Sequence, residues 1–283
     1  MQIKIFNTLN DKLTPLPSKK ELKLFVCGPT VYDYSHIGHA RTYIFFDWFV
    51  KFLKKNGYKI TYLQNITDID DKIIARAASL NQNPLNLSKK FLKIYLKNMK
   101  NLEVDAVNIY ACATKFIPQI INQIERLIQK GYVYKIEGDG YYFNIKKFKD
   151  YGKLSKRTIE SAEDAISRID NSNKKINKGD FCLWKFPDKE KQEKLKNISK
   201  TKKFIILDYE PLWKTPLDWG RPGWHIEDTA ISEYYFGSQY DLHGGGIDLK
   251  FPHHEAEIAL AESLSGKKPF VKIWMHTGQL MVN

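Results

Sequence analysis

Three cysteines in 283 residues, Cys27, Cys112 and Cys182, are too few and too widely spaced for a disulfide framework. That excludes a small stapled scaffold and favours a reducing compartment. No segment approaches the roughly 20 consecutive apolar residues that a membrane span needs, and residues 1–14 lack the apolar core of a secretory leader. A soluble, cytoplasmic protein with no membrane partner is therefore expected. Internal repeats and heptad arrays are missing too. Acidic residues are in deficit: 32 Asp and Glu stand against 45 Lys and Arg, a formal net charge of +13. The lysines are spread from end to end, denser only from Lys185 to Lys203, so the charge reads as a field over a surface. It fits a polyanionic partner and fits plain solubility equally well.

What is present reads as alternating strand and helix. Residues 22–27 (LKLFVC) form a short apolar run stopped by Gly28-Pro29, the pattern of a buried strand entering a tight loop. Residues 37–56 place Phe45, Trp48, Phe49, Phe52 and Leu53 at helical spacing before Asn56-Gly57. A β-rich run over 58–66 and a second helix over 70–79 complete the start of a doubly wound α/β sheet. Further helices are predicted over 87–102 and 116–130, then a hairpin over 132–145 with Gly138 and Gly140 between its arms. From there to about residue 215 the sequence is polar and weakly periodic, apart from an apolar island over 181–186. The α/β pattern returns with a helix near 231–235, a strand over 240–243 running into a Gly244-Gly245-Gly246 loop, a helix over 251–264 and a last strand over 271–275. The predicted organisation is a first half-domain over 1–104, a connective α+β insertion over 105–215, and a second half-domain over 216–283.

The first chemistry-bearing pattern is His36-Ile37-Gly38-His39, between a loop and the first turn of an amphipathic helix. Histidines three apart face one side of that turn, next to unpaired backbone N–H groups, and Gly38 lets a flat ligand come close. That geometry suits a polyphosphate, although two surface histidines at a helix start are also common without a ligand. The second pattern is His253-His254-Glu255-Ala256-Glu257, where His253 and Glu257 project from one helix face at the spacing of two ligands to one metal ion. An isolated pair of this kind is equally readable as a solvated contact.

Together these segments resemble the cysteinyl-tRNA synthetases. That family carries HIGH within CGxTVYDxxHIGHxRT, here residues 27–42, followed by NITDIDDKI at 65–73, GRPGWHIE at 220–227, HGGGxDLxFPHHExE at 243–257 and WMHxG at 274–278. The order and spacing hold over nearly the whole chain outside the insertion. The resemblance implies a Rossmann-like doubly wound parallel sheet of class I synthetase type. It also implies a ligase that converts L-cysteine and ATP, with Mg2+, to cysteinyl-adenylate and passes the cysteinyl group to tRNA(Cys). By resemblance, His36, Gly38 and His39 hold ATP phosphates, with His36 and His39 acting in the transition state. Gly244, Gly245, Gly246 and Asp248 admit adenosine, and Thr30, Thr67, Trp224 and His225 line the amino-acid pocket.

The resemblance further implies one Zn2+ ion, with Cys27, His253 and Glu257 at three of the family's four ligand positions. The fourth position holds Asp228 in place of the family's cysteine. A carboxylate is an acceptable zinc ligand, so coordination with a harder donor set is the expectation, with a metal-free site as the alternative. The family's KMSKS loop follows WMHxG by about a dozen residues, and the sequence stops at Asn283 before that point. Weak or no cysteine activation by the isolated chain is therefore expected, as is a monomer. Two rival readings carry different tests: a ligase that passes cysteine to a small-molecule amine, and a non-catalytic remnant that binds tRNA or ATP.

Overall fold

The computed structural model describes residues 2–157, 172–199 and 201–281. A two-stranded hairpin, β1 (Lys4–Asn7) and β2 (Lys12–Pro15), opens the chain. Asn7 joins it to the last strand by donating to Lys272 O at 3.0 Å and accepting from Trp274 N at 3.0 Å. Next come β3 (Glu21–Val26), α1 (Ile37–Lys55), β4 (Lys59–Ile66), α2 (Asp71–Ser79), α3 (Pro84–Asn101) and β5 (Ile109–Cys112). After α4 (Ile117–Gln129) the chain forms β6 (Val133–Ile136), β7 (Gly140–Phe143), β8 (Phe181–Lys185), α5 (Lys189–Lys196), β9 (Phe204–Leu207), β10 (Glu210–Thr215) and β11 (Asp218–Pro222). It closes with α6 (Trp224–Phe236), β12 (Tyr240–Gly246), α7 (His253–Ser265) and β13 (Val271–Thr277).

Five parallel strands form the main sheet in the order β13-β12-β3-β4-β5. Strand β3 shows why both faces are covered. Leu22, Leu24 and Val26 enter one apolar cluster with α1 and α3, whereas Phe25 and Cys27 enter another with α4, α6 and α7. A strand alternates its side chains across the sheet, so two apolar parities demand a helical layer on each side. The fold is thus the doubly wound α/β architecture read from the sequence. Helix α1 buries Tyr43, Phe46, Phe49, Val50 and Leu53 at spacings of three, three, one and three, and stops where Asn56 N–H returns to Phe52 O.

The remaining strands form a six-stranded sheet in the order β6-β7-β8-β11-β10-β9, whose pairings are antiparallel. The boundaries expected at 104/105 and 215/216 run across these two sheets. Strand β5 lies past residue 104 yet pairs with β4, and β11 lies past residue 215 yet pairs with β8 and β10. Strands β9 and β10 occupy a stretch that reads as featureless, because all four residues of β9 are half-buried and give no two-residue alternation. Residues 158–171 of the expected insertion fall outside the described residues.

Two further differences bear on the site. Helix α6 begins at Trp224 rather than near residue 231, because it is buried around most of its circumference and shows no amphipathic stripe. The three glycines expected in a loop are the last three residues of β12. A Cβ on Gly244 would collide with the Phe46 ring of α1, so this glycine lets helix and sheet approach closely.

Candidate active site and metal centre

A cavity of about 650 Å³ opens beyond the carboxyl ends of β3, β4, β12 and β13. That is where open α/β sheets place ligands. Its walls bring together Cys27, Thr30, His36, Gly38, His39, Trp224, Asp228, Gly246, Asp248 and His253.

One wall is the start of α1. His36 caps the helix by accepting from Gly38 N–H at Nδ1 (3.1 Å), and His39 Nδ1 accepts from His36 N–H (3.3 Å). Both Nδ1 atoms being acceptors, the ring proton of each neutral histidine sits on Nε2, where it is free to donate. The two rings lie 3.9 Å apart. Burial, and then the neighbouring His36, lower the His39 pKa to about 4, so this ring is a neutral donor at pH 7. Permanent positive charge on the same wall comes from Lys72 and Arg41, the latter steadied by donating from Nε to Gly278 O at 2.7 Å. Neither was singled out in the sequence. The helix start, two N–H donors and two cations are what a polyphosphate needs.

The opposite end holds the metal-type cluster. Cys27 follows β3, Asp228 lies on α6, and His253 and Glu257 lie one turn apart on α7. Their ligand atoms fall within 4.8 Å of one another. Asp228 Oδ2 is 3.2 Å from Cys27 Sγ and 3.0 Å from His253 Nε2, and Glu257 Oε1 is 3.3 Å from His253 Nε2. All four are buried. Burial, then the carboxylates of Glu257 and Asp228, push the Cys27 thiol up, and burial with Asp228 pushes Glu257 up. Asp228 Oδ1 and Glu257 Oε2 are buried with no hydrogen-bond partner. Buried carboxylate oxygens left unpaired are costly, and a cation between them removes that cost. Sulfur, imidazole and carboxylate donors at this spacing fit zinc.

The remaining expected residues divide. Trp224 stacks on His253 with centroids 4.1 Å apart and lines the cavity beside Thr30. Thr67 and His225 stand behind the wall. Thr67 donates to Glu227 Oε1 at 2.5 Å, and His225 Nδ1 meets His253 Nδ1 at 2.9 Å. Of the three glycines, Gly246 reaches the cavity, while Gly244 backs onto Phe46 and Gly245 onto His254. Three histidines escaped assignment although they lie in the quoted motifs: the buried His243 and His254 and the half-buried His276. His254 Nε2 is 3.1 Å from Cys27 Sγ, and its Nδ1 is 2.8 Å from His276 Nε2. The one signal in the sequence was that His254 adjoins His253; the approach of His243 and His276 depends on the pairing of β12 with β13.

A family model described as the class I (C) tRNA synthetase catalytic domain matches residues 14–283. The chain belongs to the class I (C) tRNA synthetases. It is 49% identical over 281 residues, 99% of its length, to the cysteine–tRNA ligase of Thermoplasma volcanium. It is 47% identical over its whole length to the cysteine–tRNA ligase of Thermococcus kodakarensis. This synthetase chain spans 57% and 55% of those two relatives. Its fold also matches the methionyl-tRNA synthetase of Mycobacterium tuberculosis in complex with methionyl-adenylate, with a TM-score of 0.61 at 13% identity, over 92% of this chain and 57% of that one.

Proposed function

We propose that this chain is the catalytic region of a cysteine–tRNA ligase, which activates L-cysteine with ATP and transfers the cysteinyl group to tRNA(Cys). The observation that carries this reading is the meeting, in one cavity, of a thiol-reading ligand cluster and a phosphate-binding helix start. Cysteine lies with its side chain toward Cys27, Asp228, His253 and Glu257, under Trp224. Thr30 lines the same pocket. Those four side chains would hold a zinc ion, which would supply an open position suited to a thiolate and poorly suited to the hydroxyl of serine. Discrimination of that kind exceeds the roughly 1–3 kcal/mol that a pocket draws from one methylene.

ATP, taken with Mg2+, extends from Asp248 and Gly246, which receive the ribose and the adenosine edge, to the start of α1. The cysteine carboxylate attacks the α-phosphorus and pyrophosphate leaves. His36 and His39 donate their Nε2 protons as hydrogen bonds to the phosphate oxygens, where negative charge grows during that step. Lys72 adds positive charge without changing protonation. The protein's contribution is position and preset electrostatics. A tRNA 3′ hydroxyl then attacks the cysteinyl carbonyl and AMP leaves, and the net charge of +13 supports binding of the tRNA backbone.

Cysteine-dependent ATP–pyrophosphate exchange tests this reading, run on this chain and on a form extended past Asn283 by the region its relatives carry. Exchange with cysteine and not serine in the extended form is expected. Equal exchange with serine, or none in either form, contradicts it.

A further inference from the structure

Helix α3 carries positive charge with nothing to offset it. Its 18 residues hold five lysines, Lys89, Lys90, Lys93, Lys97 and Lys100, and no aspartate or glutamate. At about 3.6 residues per turn the five fall within an arc of roughly 100°. All five are exposed, while Leu87, Phe91, Tyr95 and Met99 bury the opposite face. Among the described residues none of the five forms an ion pair; Lys90 lies over the ring of its neighbour Phe91, with Nζ 5.3 Å from the centroid. Just beyond the helix, Asp105 is taken by Lys51 at 2.8 Å, and Glu103 forms no ion pair among the described residues.

Helix α5, in the lysine-dense stretch of the sequence, is the opposite case. Lys191 pairs with Asp188 and Glu210, Lys194 with Glu190 and Asp208, and Lys196 with Glu193, all at 2.6–2.9 Å. Three of its four lysines are thus answered locally, as on an ordinary solvated face. On α3 the lysines stand three and four apart, Lys89 with Lys93, Lys93 with Lys97 and Lys97 with Lys100, and like charges at that spacing repel. An external polyanion relieves that repulsion.

Geometry narrows the anion. Lys90 to Lys100 covers about 15 Å of helix, over which one strand of a nucleic-acid duplex presents about four phosphates. A line of charge on a convex helix face suits such a backbone better than a single small anion, which needs a pocket. A lipid surface fits less well, because an interfacial helix lays a free apolar face into the bilayer and that of α3 is packed against the protein. The ridge also leads toward the cavity. Tyr34, 65% exposed, meets Phe91 edge-on with centroids 5.4 Å apart and stands two residues before His36. An exposed ring there offers a stacking platform for an unpaired base.

We propose that the lysine ridge of α3 is the surface on which this chain binds an RNA backbone, with Tyr34 receiving an unpaired base between the ridge and the cavity. The inference deepens the proposed function and rests on it for the identity of the RNA, a tRNA.

Titration of the intact chain with a tRNA(Cys) transcript at several salt concentrations tests it. Lys90→Gln, Lys93→Gln, Lys97→Gln and Lys100→Gln combined are expected to weaken binding at least about tenfold and to lower the slope of log affinity against log salt by about 3. The four corresponding arginine substitutions should bind as the unmodified chain does. A control with Lys189, Lys194, Lys196 and Lys202 changed to glutamine loses the same charge and should keep most of the slope. Tyr34→Ala should weaken binding and leave the slope alone. An unchanged slope in the α3 glutamine set, an equal loss in the control, failure of the arginine set, or no RNA binding by the unmodified chain overturns the proposal. No ridge lysine lines the cavity, so cysteine-dependent exchange in the extended form should survive the glutamine set, and its loss would make the ridge a structural element instead. Absence of exchange from the unmodified extended form, with ridge-dependent RNA binding intact, contradicts the ligase reading and leaves the ridge supported.

Discussion

Asp228 is fully buried, with Oδ2 bonded to His253 and Oδ1 left without a partner, at the position that the sequence resemblance assigns to a second cysteine. Ionised, aspartate and cysteine carry the same charge, so the substitution changes the softness of the donor set and not its electrostatic sum. Asp228→Cys therefore tightens zinc binding and roughly doubles the thiolate-to-metal band of the cobalt-substituted chain. Unchanged band intensity would remove residue 228 from the ligand set. His39 acts through a different property. Its pKa falls from an ordinary 6.5 to about 4 in the fold, so as pH drops the unfolded chain takes up the proton first. The stability it contributes is present above pH 6.5 and is lost as pH falls toward 4. His39→Asn is expected to lower exchange by about 10²–10³-fold in the extended form. Its melting temperature should fall less than wild type's between about pH 7 and pH 5. An equal fall in both proteins would show that His39 does not report this transition.

Among the elements, β11 meets α2 and β10 through an ion network centred on the buried Arg221. Arg221 of β11, 7% exposed, places Nη2 2.5 Å from Asp71 Oδ1 at the start of α2 and Nε 2.8 Å from Glu210 Oε1 of β10. Lys191 of α5 also reaches Glu210, at 2.9 Å. Arg221 lies three residues before Trp224, and Asp71 one before Lys72, so the network fixes the segments that carry two cavity walls. Arg221→Met leaves the half-buried Asp71 without Arg221 and Glu210 with Lys191 alone, and should cost about 1–3 kcal/mol of stability in urea denaturation. A loss below about 1 kcal/mol would show the network to be a surface pair in its energetics. The elements of the main sheet were legible from sequence because their signals are local: α1 has an apolar stripe, and β3 is a short apolar run ended by Gly28-Pro29. Helices α6 and α7 carry Asp228, His253 and Glu257 with polar residues on buried faces, so periodicity misplaced the start of α6. The glycines of β12 read as a loop because a strand that abuts a helix ring has the same composition as a turn. His243, His254 and His276 converge only through the parallel order of β12 and β13 beside α7, which no spacing along the chain encodes.

For the whole molecule, a net charge of +13 spread over the surface predicts binding to tRNA that weakens with salt. Affinity for tRNA is expected to fall by at least roughly tenfold between about 50 and 200 mM salt, whereas affinity for ATP should change much less. A tRNA affinity indifferent to salt would dissociate the basic surface from RNA recognition. In the proposed function one cavity reads a cysteine side chain at its ligand cluster and an adenylate at its α1 end. Calorimetric binding of a non-hydrolysable cysteinyl-adenylate analogue to the zinc-loaded chain, set against its seryl counterpart, tests that claim without requiring turnover. The expected result is one site per chain, a preference for the cysteinyl form of more than roughly 100-fold, and loss of that preference when zinc is removed. Equal affinity for the two analogues, or no binding of either, would contradict it.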